Sequence, residues 1–250
     1  CTGIGSAHTC LPSGACAGDA DISYVTGSGS DTGTCTFAAP CATVGYALTN
    51  TASATIVLTG TANDDGVTID RDVTLLGRGS AEMTRSTGGP AVTITGTSAV
   101  SIYDVMIDGG GSTGSGNGIT SSTSGDVSLY DVTVTNNQGS GINWTGTGNL
   151  TLTQSQVSDS TGTNSGGINW AGAGTLTLDQ STVSGTKGIG ISASAGTVDI
   201  SRSLIGSNAG GGLSLTATGF HIENAIIANN GGVATNFGGV LLNTSPSTSD

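Results

Sequence analysis

Aliphatic residues recur along the C-terminal two-thirds of this chain in a fixed cassette. An aliphatic-x-aliphatic pair is followed by a polar turn, a second aliphatic position, Asn or Gly, and then Gly-aliphatic-x-aliphatic. The cassette reads VSIYDVMIDGG from Val100, VSLYDVTVTNN from Val127, LTLTQSQVSDS from Leu150 and LTLDQSTVSGT from Leu176. It continues as VDISRSLIGSN from Val198 and FHIENAIIANN from Phe220, and an earlier copy opens at Val73. From Val100 onward the starts are separated by 27, 23, 26, 22 and 22 residues. Short strands and turns at a period of roughly 20–30 residues are the mark of a β-solenoid, in which each rung stacks on the next.

Alignment of the copies predicts three strands per rung. Side chains alternate across a strand, so both members of each pair face the same way. The first strand points inward at Val100/Ile102, Val127/Leu129, Leu150/Leu152, Leu176/Leu178, Val198/Ile200 and Phe220/Ile222. The second does so at Ile107, Val134, Val157, Val183, Ile205 and Ile227. The third is expected at Ile142/Trp144, Ile168/Trp170, Ile189/Ile191, Leu213/Leu215 and Val240/Leu242. Asn136-Asn137, Asn208 and Asn229-Asn230 fall where the second strand ends, at corners whose backbone suits Asn and Gly. Seven such rungs at ~4.8 Å spacing give a body about 30–35 Å long. The last rung runs into NTSPSTSD without a visible cap.

Upstream, Val44, Ala47 and Leu48 in ATVGYALTN share one side of a short helix. Such a helix would cover the N-terminal end of the solenoid and blunt an edge that could otherwise template pairing. Residues 1–40 are expected to be an irregular, cysteine-containing segment, with the solenoid occupying 41–250. The five cysteines all lie in the first 41 residues. Cys10/Cys16 and Cys35/Cys41 each enclose five residues, a spacing that suits small disulfide loops in an oxidising compartment and no common zinc or dithiol motif. Cys1 is left over as a possible cross-link or anchor. A chain opening on Cys1 reads as a mature or trimmed product, with no transmembrane run in view.

Charge narrows the functions. Only 9% of residues are charged and the balance is −12, which excludes the basic stripe that nucleic acid requires. Solubility must rest on hydroxyls, amides and the 44 glycines of the turns.

The cassette, the Gly-aliphatic third strand and the opening helix together resemble the right-handed parallel β-helix, or pectin-lyase-like, superfamily. The likeness spans roughly 41–242 and is nearest to repeat-bearing secreted and cell-surface bacterial proteins. GGINW, GGGLSL and GGVLL also look like the GG-aliphatic motif of polymorphic outer-membrane proteins, whose FxxN companion is not clearly present. The resemblance implies an all-β, three-strand-per-rung solenoid. It leaves activity open, since the superfamily holds lyases, hydrolases, tailspikes and adhesins.

Searched for that chemistry, the chain offers little. Glycoside hydrolysis needs two facing carboxylates, and the one adjacent pair is Asp64-Asp65, in a turn before the repeat. The hydrolases' His-Gly is missing, since the histidines are His8 and His221. Arg71, Arg78, Arg85, Lys187 and Arg202 match no lyase motif. Asp104 and Asp131 share a turn position in consecutive rungs, where like charges repel unless a cation or proton intervenes. Their column continues as Gln154, Gln180, Arg202 and Asn224, too few oxygens for calcium. Trp144 and Trp170 are placed inside by alternation, while Tyr103 and Tyr130 are better placed for an exposed aromatic contact. The outward column Thr74, Ser101, Ser128, Thr151, Thr177, Asp199 and His221 breaks too early for an ice-binding face. Asn143, Asn149 and Asn243 lie in glycosylation sequons.

The expectation is therefore a non-enzymatic extracellular or cell-surface structural protein, without cofactor or metal, working in adhesion or self-assembly, the latter extending to a filament subunit. Its partners would be its own copies or a surface polysaccharide or protein. A carbohydrate-active enzyme or polysaccharide-binding module is the alternative.

Overall fold

A computed structural model describes residues 9–10, 16–18, 21–85, 87–110, 116–163, 165–216, 219–232 and 237–243. It shows a parallel β-solenoid. The third strands of successive rungs, from Val67–Ile69 to Val240–Leu242, form one eight-stranded sheet. First and second strands form two further stacks, joined through the 12-residue strand Val73–Thr84, which pairs with Val100–Tyr103 at one end and Met106–Asp108 at the other.

Pairing is in register from rung to rung. Val100, Val127, Leu150, Leu176 and Val198 follow one another as direct neighbours, and so do Ile102, Leu129, Leu152, Leu178 and Ile200. All ten are at most 1% exposed. The inward assignments of the second strand hold for Ile107, Val134, Val157, Val183 and Ile205. In the final rung the register keeps the same facing but burial is incomplete: Phe220 is 43% exposed, Ile222 and Ile227 are only partly covered where they pack on the core, and Val240 and Leu242 are exposed. Alternation assigns a side chain to the interior, but burial there needs a rung on either side.

One register expectation needs correction. The inward pair of the sixth third strand is Ile191/Ala193, which pairs with Ile168/Trp170; Ile189 instead faces Gly211. Both Gly188-Ile189 and Gly190-Ile191 satisfy the Gly-aliphatic pattern, and packing decides between them. A Cβ placed on Gly118, Gly141, Gly167, Gly190 or Gly212 would stand only 2.3–2.8 Å from a branched carbon of Val134, Val157, Val183, Ile205 or Ile227 respectively. The glycine before each inward pair thus lets the third strand close onto the second.

Both corners use left-handed backbone. Asp104, Asp131, Gln154, Gln180, Arg202 and Asn224 turn the chain from first to second strand with φ of 49–55°. Asn136, Asp159, Ser207 and Asn229 do the same after the second strand, with φ of 51–58°. Just inside the first corner a serine column replaces Val105 and Val132. Ser155 Oγ accepts from Val132 N, Ser181 Oγ from Ser155 N, and Ser203 Oγ from Ser181 N, at 3.0–3.1 Å. Each hydroxyl satisfies an amide that would otherwise be orphaned at the bend.

The N-terminal end is closed. Helix Val44–Asn50 packs on strands Ile22–Thr26, Thr55–Asn63 and Val67–Ile69, with Val44 and Ala47 buried. Thr43 caps it, its Oγ1 accepting from Tyr46 N at 3.2 Å. Asp64 accepts from Val44 N and Gly45 N at 3.1 and 2.9 Å. Asp31 reaches the same turn, accepting from Ala42 N at 2.8 Å and Thr43 Oγ1 at 2.7 Å. Cys35 and Cys41 form the expected disulfide, fully buried beside the helix start. Cys10 and Cys16 stand opposite one another in a two-stranded antiparallel pair; their side chains, and Cys1, lie outside what is described. The irregular segment expected before residue 41 contains a strand, Ile22–Thr26, which pairs parallel with Thr55–Asn63 and extends the first-strand stack by one more member. Its neighbouring glycines and serines masked the ISYVT pattern.

Trp144 and Trp170 are buried and stacked, ring centroids 5.4 Å apart at 21°. Room for them comes from small neighbours. Ser121 and Ala193 flank them in the column, and a Cβ on Gly172 would lie 2.4 Å from Trp144 Cδ1. Truncating Trp170→Ala is expected to cost about 3–5 kcal/mol in urea denaturation, the range for an aromatic cavity. Cys41→Ser is expected to cost about 2 kcal/mol for opening so short a loop, with amide exchange accelerated first in Val44–Asn50.

Candidate functional site

The strands bring the sequence's carboxylate candidates to three separate places. Asp64 is a helix-capping group at the N-terminal end. Burial raises its carboxyl above the ordinary aspartate range, the two amide hydrogen bonds opposing part of that rise. Asp65, its neighbour in sequence, is exposed. Only Asp104 and Asp131 are brought together, one above the other at the first corner of consecutive rungs.

That corner forms one wall of a cleft of about 460 Å³, lined also by Glu82, Met106 and Thr133. The floor exists because strand Val73–Thr84 crosses from one stack to the other through Gly77 and Gly79. A Cβ on Gly77 would lie 2.0 Å from the Asp104 carbonyl oxygen, so only glycine permits this approach. Glu82 was not legible as a site residue, since GRGSAEMT lies where the cassette is interrupted and no later copy aligns with it.

Burial at the cleft wall raises the Asp104 carboxyl, and the charge and hydrogen bond of Asp131 raise it further. The cleft is lined by acids and by no basic side chain. Arg71 donates to the carbonyls of Ser53 and Thr51, and Arg85 to those of Thr87, Gly88 and Pro90. Arg202 pairs with Asp179 at 2.6 Å, which lowers the Asp179 carboxyl. These three arginines tie loops and rungs together. Among the described residues, no group of three or more His, Cys, Asp or Glu could hold a metal ion.

Next to the acids, Tyr103 and Tyr130 form the outward aromatic pair, centroids 6.1 Å apart, with Tyr130 42% exposed. A second cleft of about 420 Å³ opens on the eight-stranded sheet around Asn169, Lys187, Ile189 and Ser192. Beside it Asn169 Nδ2 donates to Asn143 Oδ1 at 2.8 Å, the outward amide ladder expected from GINW.

A family model described as the right-handed β-helix region matches residues 90–248, more than half of the chain. The chain belongs to the right-handed β-helix family. No curated protein and no solved structure matches it. Within this β-helix the resemblance to the pectin-lyase-like superfamily is upheld by the rung geometry, and the match names a fold and no reaction. No helix among the described residues is long and apolar enough to cross a membrane.

The acid pair has a pH signature. Asp104 holds its proton more tightly in the folded β-helix than at its ordinary value of 3.8. Its contribution to stability is therefore fully present below that value and is lost as pH rises through the raised folded value. Asp131→Asn, which keeps a residue suited to the left-handed corner, is expected to remove part of this loss. Urea midpoints of the two proteins should agree at low pH and separate above the ordinary aspartate range, with the variant the more stable. Parallel profiles would show that the carboxyls are uncoupled.

Proposed function

We propose that this right-handed β-helix is a non-enzymatic structural rod of the extracellular space or cell surface, acting by self-association through its C-terminal rung. The observation that carries the reading is the inequality of the two ends. At one, Val44 and Ala47 seal the core beneath a capped helix fixed by Asp31, Asp64 and the Cys35–Cys41 disulfide. At the other, Phe220, Ile226, Val240, Leu241 and Leu242 are 36–62% exposed on strands Gly219–Glu223, Ile226–Ala228 and Val240–Leu242. Among the described residues, each of these strands has a partner on one side only. Open parallel edges over an apolar face favour addition of further strands. A closed opposite end favours pairing of like ends over an endless filament. The buried disulfide and the sparse charge suit an oxidising, extracellular setting.

A second reading, a carbohydrate-binding or carbohydrate-active role, is favoured by one observation. Glu82, Asp104 and Asp131 share a cleft beside an exposed tyrosine. The absence of a basic side chain from its lining argues against the lyase version.

Light scattering over a concentration series is expected to show association in the wild-type protein and its suppression in Phe220→Glu/Ile226→Lys. Incubation with acidic and neutral polysaccharides is expected to release no new reducing ends. A monomer at every concentration would remove self-association, and sugar release abolished by Asp104→Asn would establish the rival.

A further inference from the structure

Behind the second corner runs a column of one residue per rung, which opens at the exposed Gly110 and continues as the internal polar residues Asn137, Ser160, Thr186, Asn208 and Asn230. Each follows the inward residue of the second strand by three positions, and from Asn137 to Asn230 all are at most 6% exposed. The later rungs form an unbroken ladder. Asn230 Nδ2 donates to Ile205 O at 2.8 Å, and Asn208 Nδ2 to Val183 O at 3.1 Å. Asn230 Oδ1 accepts from Asn208 N and Nδ2 at 3.0 and 2.9 Å, and Asn208 Oδ1 from Thr186 N and Oγ1 at 3.2 and 2.9 Å.

Below Thr186 the ladder stops. Asn137 and Ser160 are completely buried, yet among the described residues Asn137 Nδ2, Asn137 Oδ1 and Ser160 Oγ have no hydrogen-bond partner. Two local features explain the break. The hydroxyl of Ser160 is too short to span the ~4.8 Å between rungs that an Asn amide crosses. In the rung before Asn137, the Gly110 N–H that would meet Oδ1 donates to Asp108 Oδ1 at 2.6 Å instead. Buried amides and hydroxyls are almost always paired, with protein or with ordered water. Three such groups in adjacent rungs, at a step where Ser stands in an Asn-bearing column, match the number of partners an internal water takes.

We propose that an ordered water molecule occupies the interior of the rod between Asn137 and Ser160 and replaces the missing amide of the ladder. The site accepts a small neutral donor-acceptor and belongs to the fold's interior, independent of any surface function.

Water–protein cross-relaxation on the intact protein is the primary test. A long-lived water contacting the side chains of both Asn137 and Ser160 is expected. The absence of such a water overturns the proposal. So does a direct bond from Asn137 Nδ2 to the Ile107 carbonyl, the geometry of Asn208 and Asn230, with no water against Ser160. Two variants supply a second readout. Ser160→Asn is expected to displace the water, abolish its cross-peaks and raise the melting temperature by a few degrees. Ser160→Ala is expected to lower it, because the water loses a partner. A melting temperature for Ser160→Ala equal to or above wild type would mean that the step is dry, and would overturn the assignment.

Discussion

In-register stacking of one rung on the next is the constraint on which everything else in this molecule depends. From Val73 onward, strand pairs place each residue directly over its equivalent 22–27 positions away, so every side chain is judged by what stands above and below it. Val on Leu on Leu builds a core in this arrangement, and Trp144 on Trp170 fills it where Ser121 and Ala193 leave room. The same rule makes Ser155, Ser181 and Ser203 a ladder of amide acceptors. It also sets Asp104 over Asp131, whose charge adds to burial in raising the Asp104 carboxyl.

From this follows the difference between the ends. An inward apolar residue such as Val198, Leu213 or Leu215 is fully buried in mid-stack, while the equivalents Phe220, Val240 and Leu242 in the last rung reach 42–48% exposure. Nothing in Phe220 or Leu242 distinguishes them from Val198 or Leu215; position in the stack does. The helix Val44–Asn50 solves this problem at the N-terminal end with a short amphipathic element and three side-chain caps. Self-association is the proposed solution at the other. In such a stack many polar side chains are spent on corners and ladders. Arg71, Arg85 and Arg202 illustrate the point, each holding carbonyls or a carboxylate of its own chain.

The architecture was legible because the cassette repeats: the alternation of VSLY or LTLD assigns faces without knowledge of tertiary contacts. The capping helix and the Cys35–Cys41 loop were legible from local spacing. What escaped was information held between rungs. Gly188-Ile189 and Gly190-Ile191 are equivalent as text, and only the clash of a Cβ with Ile205 selects the second. Exposure of Phe220 depends on what lies beyond it. Strand Ile22–Thr26 has no repeat neighbour to announce it. The cleft around Glu82 arises where the pattern fails, so periodicity had no means of finding it. The corner carboxylates were visible as a column, but their shared cleft required strand Val73–Thr84 to cross between stacks.

Amide hydrogen exchange at several protein concentrations tests the central claim most directly, because it reads each rung separately. The account predicts that protection in Gly219–Glu223, Ile226–Ala228 and Val240–Leu242 is low in dilute solution and rises with concentration. Protection in the inner rungs, from Val100 to Leu215, should stay high and unchanged. Exchange in the last rung that is independent of concentration would contradict self-association through that end.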